Sequence, residues 1–70
     1  MPTLQINGNE ETYADADFPA TAADLLERHQ LDETLVIMEV DGAIVPRGAA
    51  GSFPLRDRQT VELVRLVGGG

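Results

Sequence analysis

The chain contains no cysteine, no lysine and no tryptophan. Without cysteine it has no disulfide framework, no iron–sulfur cluster and no cysteine–zinc site. A small domain that manages without such cross-links is typical of the reducing cytoplasm, so we expect a cytoplasmic protein. Without lysine, the chain also offers no side-chain amine as a site for isopeptide attachment.

Long apolar runs are missing as well. The longest, Leu35–Met38, is far shorter than the roughly 20 residues that a membrane-spanning helix needs. The opening residues Met1–Thr3 have neither the basic region nor the apolar segment of a signal peptide. We therefore expect no membrane association and no targeting segment.

Positive charge is scarce: five arginines stand against twelve acids, for a net charge of −7. This balance argues against nucleic-acid binding, which needs clustered basic residues to neutralise phosphates. Residues 1–33 carry eight acids and one arginine, whereas residues 34–70 carry four of each. Two interpretations fit this uneven charge. The acids of the first half serve only to keep a small domain soluble, or the second half is neutral because it docks against a partner.

The length of 70 residues allows one domain. A chain of this size buries only about 60% of the surface that its unfolded form exposes. We therefore expect a small core and no deep substrate cavity. The domain is expected to cover residues 1–67, followed by a flexible glycine tail at residues 68–70.

The helix signal is confined to one segment. Thr21 followed by Asp24 resembles a capping box, and Ala22, Leu25 and Leu26 recur at helical spacing with His29 at the end of their face. This pattern predicts a helix of two to three turns, which is too short to be stable unless it packs on a sheet.

Alternation of apolar and polar residues, together with turn signals, predicts two hairpins and one further strand. The expected strands are Leu4–Ile6, Thr12–Ala14, Leu35–Val40, Ala43–Val45 and Thr60–Val67, with turns at Asn7–Asn9 and Asp41–Gly42 and a loop over Arg47–Arg58. Two hairpins flanking one helix bury their apolar faces most economically in an α+β fold. We expect a β-grasp (ubiquitin-like) architecture, with the short helix packed across a mixed sheet of four to five strands.

Residues capable of conventional catalysis are few. His29 is expected at the edge of the core near the helix C-terminus, and Ser52 lies in a glycine-rich loop without a basic partner. Asp15 and Asp17 lack the spacing of a calcium loop and are expected in a solvated turn. No metal site is predicted. If Met1 were removed, Pro2 would offer a secondary amine like that of small tautomerases, an alternative that intact mass would test.

The chain ends in Gly68–Gly70. One interpretation is a frayed end or a linker scar. The other is an arm that delivers the carboxylate of Gly70 into a partner's active site, since glycine lacks a Cβ and three residues reach about 10 Å. Ordering three glycines costs roughly 3–6 kcal/mol, so the folded domain must supply the binding energy.

An outward apolar patch would supply that energy. If Val61 and Leu63 face the helix, alternation places Val64 and Leu66 outward, together with Ile37 of the neighbouring strand. Burying three such side chains is worth roughly 1.5–3 kcal/mol each. A third structural layer or a dimer would be the alternative cover for this patch.

The sequence resembles the ThiS family, the sulfur carriers of thiamin (thiazole) biosynthesis, over nearly its whole length. The resemblance rests on Thr21–Leu26, on Val40–Arg47 with its Ile-Val-Pro-Arg ending, on Val61–Val64 and on the closing glycines. The departures are Asp41 where the family usually has Asn, Arg56–Gln59 in place of an Asp-Gly-Asp turn, and Gly48–Ala50 where an aromatic or acidic residue is common.

The resemblance implies a carrier that is not itself an enzyme. The carboxylate of Gly70 would be adenylated by a ThiF-type adenylyltransferase, which binds the ATP and magnesium; the carrier itself binds no cofactor. A sulfur donor such as a cysteine desulfurase persulfide would then convert the adenylate into a thiocarboxylate. The sulfur would pass to a thiazole synthase of the ThiG type.

Three other interpretations remain open. The small subunit of molybdopterin synthase, from the related MoaD group, shares the fold, the tail and the sulfur, but lacks the Ile-Val-Pro-Arg ending. A ubiquitin-like modifier would use Gly70 for conjugation, and a binding-only domain would follow if the glycines were a scar. Arg47 either contacts a partner or merely closes its hairpin.

Overall fold

A computed structural model describes residues 1–66, which form one mixed five-stranded sheet with a helix packed across one face. Its elements are β1 (Thr3–Ile6), β2 (Asn9–Thr12), α1 (Ala22–Arg28), β3 (Val36–Val40), β4 (Ala43–Ile44) and β5 (Gln59–Arg65), with 3₁₀ turns at Asp15–Asp17, Glu33–Leu35 and Ala50–Ser52. The strand order is β2-β1-β5-β3-β4, with β1 and β5 parallel and the other pairs antiparallel. The β-grasp architecture predicted from the sequence is confirmed.

The first hairpin turns more tightly than its sequence pattern suggested. Asn7 and Gly8 have φ values of 49° and 85°, the left-handed pair of a two-residue type I′ turn. Asn9 therefore stands directly opposite Ile6, and the return strand runs from there to Thr12. The expected strand at Thr12–Ala14 was wrong, because the turn length and not the apolar alternation set the register.

The second hairpin repeats this geometry. Asp41 and Gly42 have φ values of 51° and 85°, which confirms the predicted turn. The Asp41 side chain accepts hydrogen bonds from the Thr60 backbone N–H at 3.0 Å and the Gln59 amide at 3.2 Å. The turn is thereby tied to the start of β5. The return strand is shorter than expected and ends at Ile44.

Both ends of α1 are capped. Thr21 and Asp24 form the predicted capping box, each accepting the other's backbone N–H at 3.2 Å. At the other end, Leu31 N–H donates to Leu26 O and Gln30 N–H to Glu27 O, the two bonds of a Schellman motif. Gln30 occupies its left-handed position with φ of 56°. In residues 1–66, no helix has the length and apolarity that crossing a membrane requires.

The core lies between α1 and the inner face of the sheet. Leu4, Leu25 and Val61 are fully buried at its centre. As alternation predicted, Val36, Met38 and Val40 of β3 and Val61 of β5 point inward, while Leu63 is half-buried against the core. The complete buried apolar set is Leu4, Ile6, Ala22, Leu25, Leu26, Val36, Met38, Val40, Val45, Ala50, Leu55 and Val61. The opposite face of the sheet carries no helix within residues 1–66.

Candidate functional site

Three apolar side chains predicted to face outward do so. Ile37, Val64 and Leu66 are 39%, 55% and 40% exposed, and Ile37 is the direct cross-strand partner of Val64. Leu66 follows β5 at the point where the described chain ends. The outward patch therefore adjoins the start of the terminal segment, as the arm hypothesis requires.

Two further side chains enlarge this patch, and the sequence reasoning missed both. Leu35 is 56% exposed, and its carbonyl accepts the Leu66 backbone N–H at 2.8 Å, which extends the β3–β5 ladder by one pair. Ile44 is 63% exposed and pairs with Glu39. The signal for Ile44 was present: a two-residue turn at Asp41–Gly42 dictates this pairing. We call Leu35, Ile37, Ile44, Val64 and Leu66 the outward apolar patch.

Arg47 lies at the β4 edge of this patch. It is exposed and lines a cleft of about 150 Å³ together with Ile37, Ile44 and Glu33. The Glu33 carboxylate accepts the Gly48 backbone N–H at 2.7 Å and so holds the loop that follows Arg47. The structure thus brings Arg47 beside Ile37, whereas Val64 and Leu66 do not line this cleft.

The rest of the outward face is polar. Glu39 and Glu62 stand directly opposite each other, one pair along from Ile37 and Val64. Neither carboxylate has a hydrogen-bond or ion-pair partner among residues 1–66. Beyond them, the outward positions of β1, β2 and the start of β5 are Thr3, Gln5, Glu10, Thr12 and Thr60.

The residues considered for catalysis have structural roles. His29 caps the C-terminus of α1, with Nε2 3.8 Å from a Glu11 carboxylate oxygen. The Ser52 hydroxyl donates to Ala49 O at 3.2 Å, and Asp15 lies in an exposed 3₁₀ turn 3.9 Å from the N-terminal amine. Residues 1–66 contain no cluster of three or more His, Cys, Asp or Glu side chains that could hold a metal ion.

A cluster of polar and aromatic side chains connects β2 to α1. The Tyr13 hydroxyl donates to the Glu11 carboxylate at 2.9 Å, and Arg28 lies 5.6 Å from the centre of the Tyr13 ring. Burial and then the hydrogen bond to Glu11 raise the pKa of Tyr13 to about 12. Tyr13 also packs edge-on against Phe18, and its backbone N–H donates to the carbonyl of Pro2. These contacts stabilise the fold at the edge of the core.

The reactive group that the sequence suggested, the Gly70 carboxylate, lies outside the described residues, as do Gly68 and Gly69. What the structure supplies is the chain's departure point, at Leu66 beside the outward apolar patch.

Comparison with known proteins agrees with this architecture. Residues 4–70 match the model of the ThiS family. A Bacillus subtilis (strain 168) protein described as "Sulfur carrier protein ThiS" is 34% identical over 67 residues, covering 96% of this chain and 98% of that protein. The crystal structure of a thiamine biosynthesis protein (ThiS) from Geobacter metallireducens matches with a TM-score of 0.78 at 26% identity, covering 97% of this chain and 99% of that one. With its family match, a full-length relative and a shared fold, the chain belongs to the ThiS family.

Proposed function

We propose that this protein is a sulfur carrier of thiamin biosynthesis, which holds the sulfur as a thiocarboxylate on Gly70. Membership of the ThiS family supports the carrier role, and so does the relative named as a sulfur carrier. The observation that carries the proposal is the outward apolar patch, which adjoins the segment leading to the terminal glycines. The protein is then a co-substrate of other enzymes and not a catalyst.

The proposed chemistry begins with adenylation. An oxygen of the Gly70 carboxylate attacks the α-phosphorus of ATP in a ThiF-type adenylyltransferase, and pyrophosphate leaves. The terminal sulfur of a persulfide then attacks the acyl carbon and displaces AMP. A thiol cleaves the resulting S–S bond, which leaves the thiocarboxylate. In this proposal the partner holds ATP and magnesium, because a chain with twelve acids against five arginines is poorly suited to bind phosphates itself.

Binding energy comes from the folded domain. Three ordered glycines cost roughly 3–6 kcal/mol and have no side chains to recover that cost. The five side chains of the outward apolar patch are 39–63% exposed, so a partner can bury only about half of the surface of each. At roughly 1.5–3 kcal/mol for a complete burial, the remaining surface of all five is worth about 4–8 kcal/mol before other losses, whereas Ile37, Val64 and Leu66 alone would give only about 2–4 kcal/mol. The whole patch is therefore needed to offset insertion of the glycine arm into a narrow channel.

The sulfur acceptor in this proposal is a thiazole synthase of the ThiG type. The Geobacter metallireducens structure is described as a thiamine biosynthesis protein, which favours this acceptor over a molybdopterin synthase. The outward apolar patch would dock against the adenylyltransferase and then against the thiazole synthase, since adenylation and sulfur delivery both require the Gly70 carboxyl group to enter an active site.

Intact mass tests the proposal directly. The protein is incubated with the ThiF-type adenylyltransferase of its own genome, magnesium-ATP, a cysteine desulfurase and cysteine. The expected change is the exchange of one oxygen for one sulfur at the C-terminus. A matched variant without Gly69 and Gly70 should show none. Absence of the exchange in the full chain, or its persistence in the shortened one, would refute the carrier mechanism.

A further inference from the structure

Glu39 and Glu62 form a like-charge pair in the middle of the outward sheet face. Asp41 N–H donates to Thr60 O, and Leu66 N–H donates to Leu35 O. Hydrogen-bonded pairs recur at every second residue of an antiparallel ladder. Glu39 and Glu62 lie two residues from the Asp41–Thr60 pair, so they also form a hydrogen-bonded pair. Their Cα atoms are therefore about 5.5 Å apart, with both side chains on the same face.

This arrangement is unfavourable for the isolated domain. Like charges directly opposite each other on adjacent strands destabilise a sheet. Among residues 1–66 no arginine forms an ion pair with Glu39 or Glu62. The arginine ion pair in this part of the chain joins Arg58 to Asp57. The fold therefore concentrates negative charge at one point without neutralising it.

The surroundings of the pair are apolar on one side. Ile37 and Val64 lie at the next outward positions of the two strands, and Ile44 lies opposite Glu39 on β4. Glu39 is itself half-buried. A partner that covers the outward apolar patch would remove water from around these carboxylates, so an ion pair formed there would be stronger than at an open surface.

The position of Glu62 in β5 limits how far the carboxylate pair can be from the Gly70 carboxylate. Glu62 precedes Leu66 by four strand residues, which is about 13 Å at the rise of a β-strand. The segment 67–70 can extend by up to about 14 Å. A group that binds the carboxylates therefore lies within roughly 27 Å of the point where the Gly70 carboxylate reacts.

We propose that Glu39 and Glu62 bind a basic side chain, an arginine or a lysine, that projects from an apolar surface of the adenylating partner. This inference rests on the proposed function and adds the chemistry of the partner's docking surface. Charge complementarity assigns the occupant: two uncompensated carboxylates beside exposed apolar side chains fit a cation framed by apolar groups. The outward apolar patch supplies contact area, and the carboxylate pair supplies orientation and partner selection.

The test uses the full chain carrying Glu39→Gln and Glu62→Gln together, with the ThiF-type adenylyltransferase as the probe. Calorimetry at several salt concentrations measures Kd for wild type and variant. We expect the variant's Kd to rise about tenfold or more, and its salt dependence to decrease, because a partly desolvated ion pair is lost. The matched control is Glu10→Gln, which removes one exposed acid from the polar half of the same face and should change Kd by less than about twofold.

Thermal unfolding gives an independent readout. The variant with Glu39→Gln and Glu62→Gln should unfold at a higher temperature than wild type, since the repulsion between the two carboxylates is removed. An unchanged Kd with normal adenylation of the wild type would overturn this inference and leave the proposed function intact. A loss of binding confined to the thiazole synthase would also overturn it. A wild-type protein that is neither bound nor adenylated would instead refute the proposed function itself.

Discussion

Ile37 and Val64 stand directly opposite each other in β3 and β5, on the sheet face that α1 does not cover. They are 39% and 55% exposed, while the next cross-strand pair, Met38 and Leu63, points into the core. An apolar pair open to water adds little to the stability of the isolated domain, because much of its surface is not buried. Burial of this pair under a docked partner would contribute to binding, and Leu66 extends the apolar surface toward the chain end.

Introducing charged residues at exposed positions of this face should impair docking without preventing folding. We expect the combined Val64→Asp and Leu66→Asp variant to lower kcat/KM for adenylation of the carrier at least about tenfold, because apolar contact area is lost. Its circular dichroism should remain that of the folded domain, with an unfolding midpoint only moderately lowered by repulsion from Glu39 and Glu62. In contrast, Val61→Asp on the same strand should unfold the protein, since it buries a charge at a fully buried position. Unfolding of the Val64 and Leu66 variant would show that these residues belong to the core.

The Schellman motif at the end of α1 predicts a stabilising substitution. Gln30 has φ of 56°, a region where a side chain costs about 1 kcal/mol that glycine avoids. Gln30→Gly should therefore raise the free energy of unfolding by up to about 1 kcal/mol in urea titrations. Glu27→Gly, within the same helix, should lower it by about 1 kcal/mol. Equal losses from both changes would contradict the strain at Gln30.

Tyr13 is the sole tyrosine of the chain, so its ionisation can be followed by ultraviolet absorbance. Its pKa is raised from 10.0 to about 12, first by burial and then by the hydrogen bond to Glu11. Because the folded-state pKa is raised, its contribution to stability is complete below pH 10 and disappears as the pH rises through about 12. Glu11→Gln should move the absorbance midpoint toward 10; an unchanged midpoint would leave burial as the sole cause.

Asp32 should impose a pH dependence in the acid range. Its carboxylate accepts the Thr34 backbone N–H and then the Thr34 hydroxyl, both at 2.8 Å, and these bonds hold the pKa of Asp32 below 3.8. A lowered folded-state pKa means that this stabilisation is present above pH 3.8 and is lost as the pH falls through the folded value. Carboxyl NMR titration should show the pKa of Asp32 rising toward 3.8 in Thr34→Val. No change would assign the effect to the backbone N–H alone.

Local signals in the sequence predicted much of the fold. Asp41–Gly42 specified a tight turn through residues that tolerate positive φ, and Thr21 with Asp24 specified the start of α1 through a reciprocal cap. Alternation along β5 correctly separated Val61 from Val64. Each of these depends on residues within a few positions of one another, where backbone geometry and side-chain period act directly.

Other features were misplaced or missed. The return strand was placed at Thr12–Ala14, after a turn over Asn7–Asn9, whereas the turn has only two residues and pairing begins at Asn9. The Schellman motif was not anticipated because Gln30 is not glycine. Leu35 was not assigned to the outward apolar patch, because its position there follows from the pairing of β3 with β5. Ile44 was missed although the Asp41–Gly42 turn implies its pairing with Glu39.

By itself, the sequence determined the fold class, the helix, the Asp41–Gly42 turn and which side of β3 and β5 faces the core, because these follow from local periodicity and backbone preference. The tertiary structure alone decided which residues of β3 and β5 meet. Ile37 meets Val64 and Glu39 meets Glu62 only because β3 and β5, far apart in the chain, pair in one particular register. Register is a non-local choice, set by packing of the inner face, and it places an apolar pair beside a carboxylate pair on the outer face.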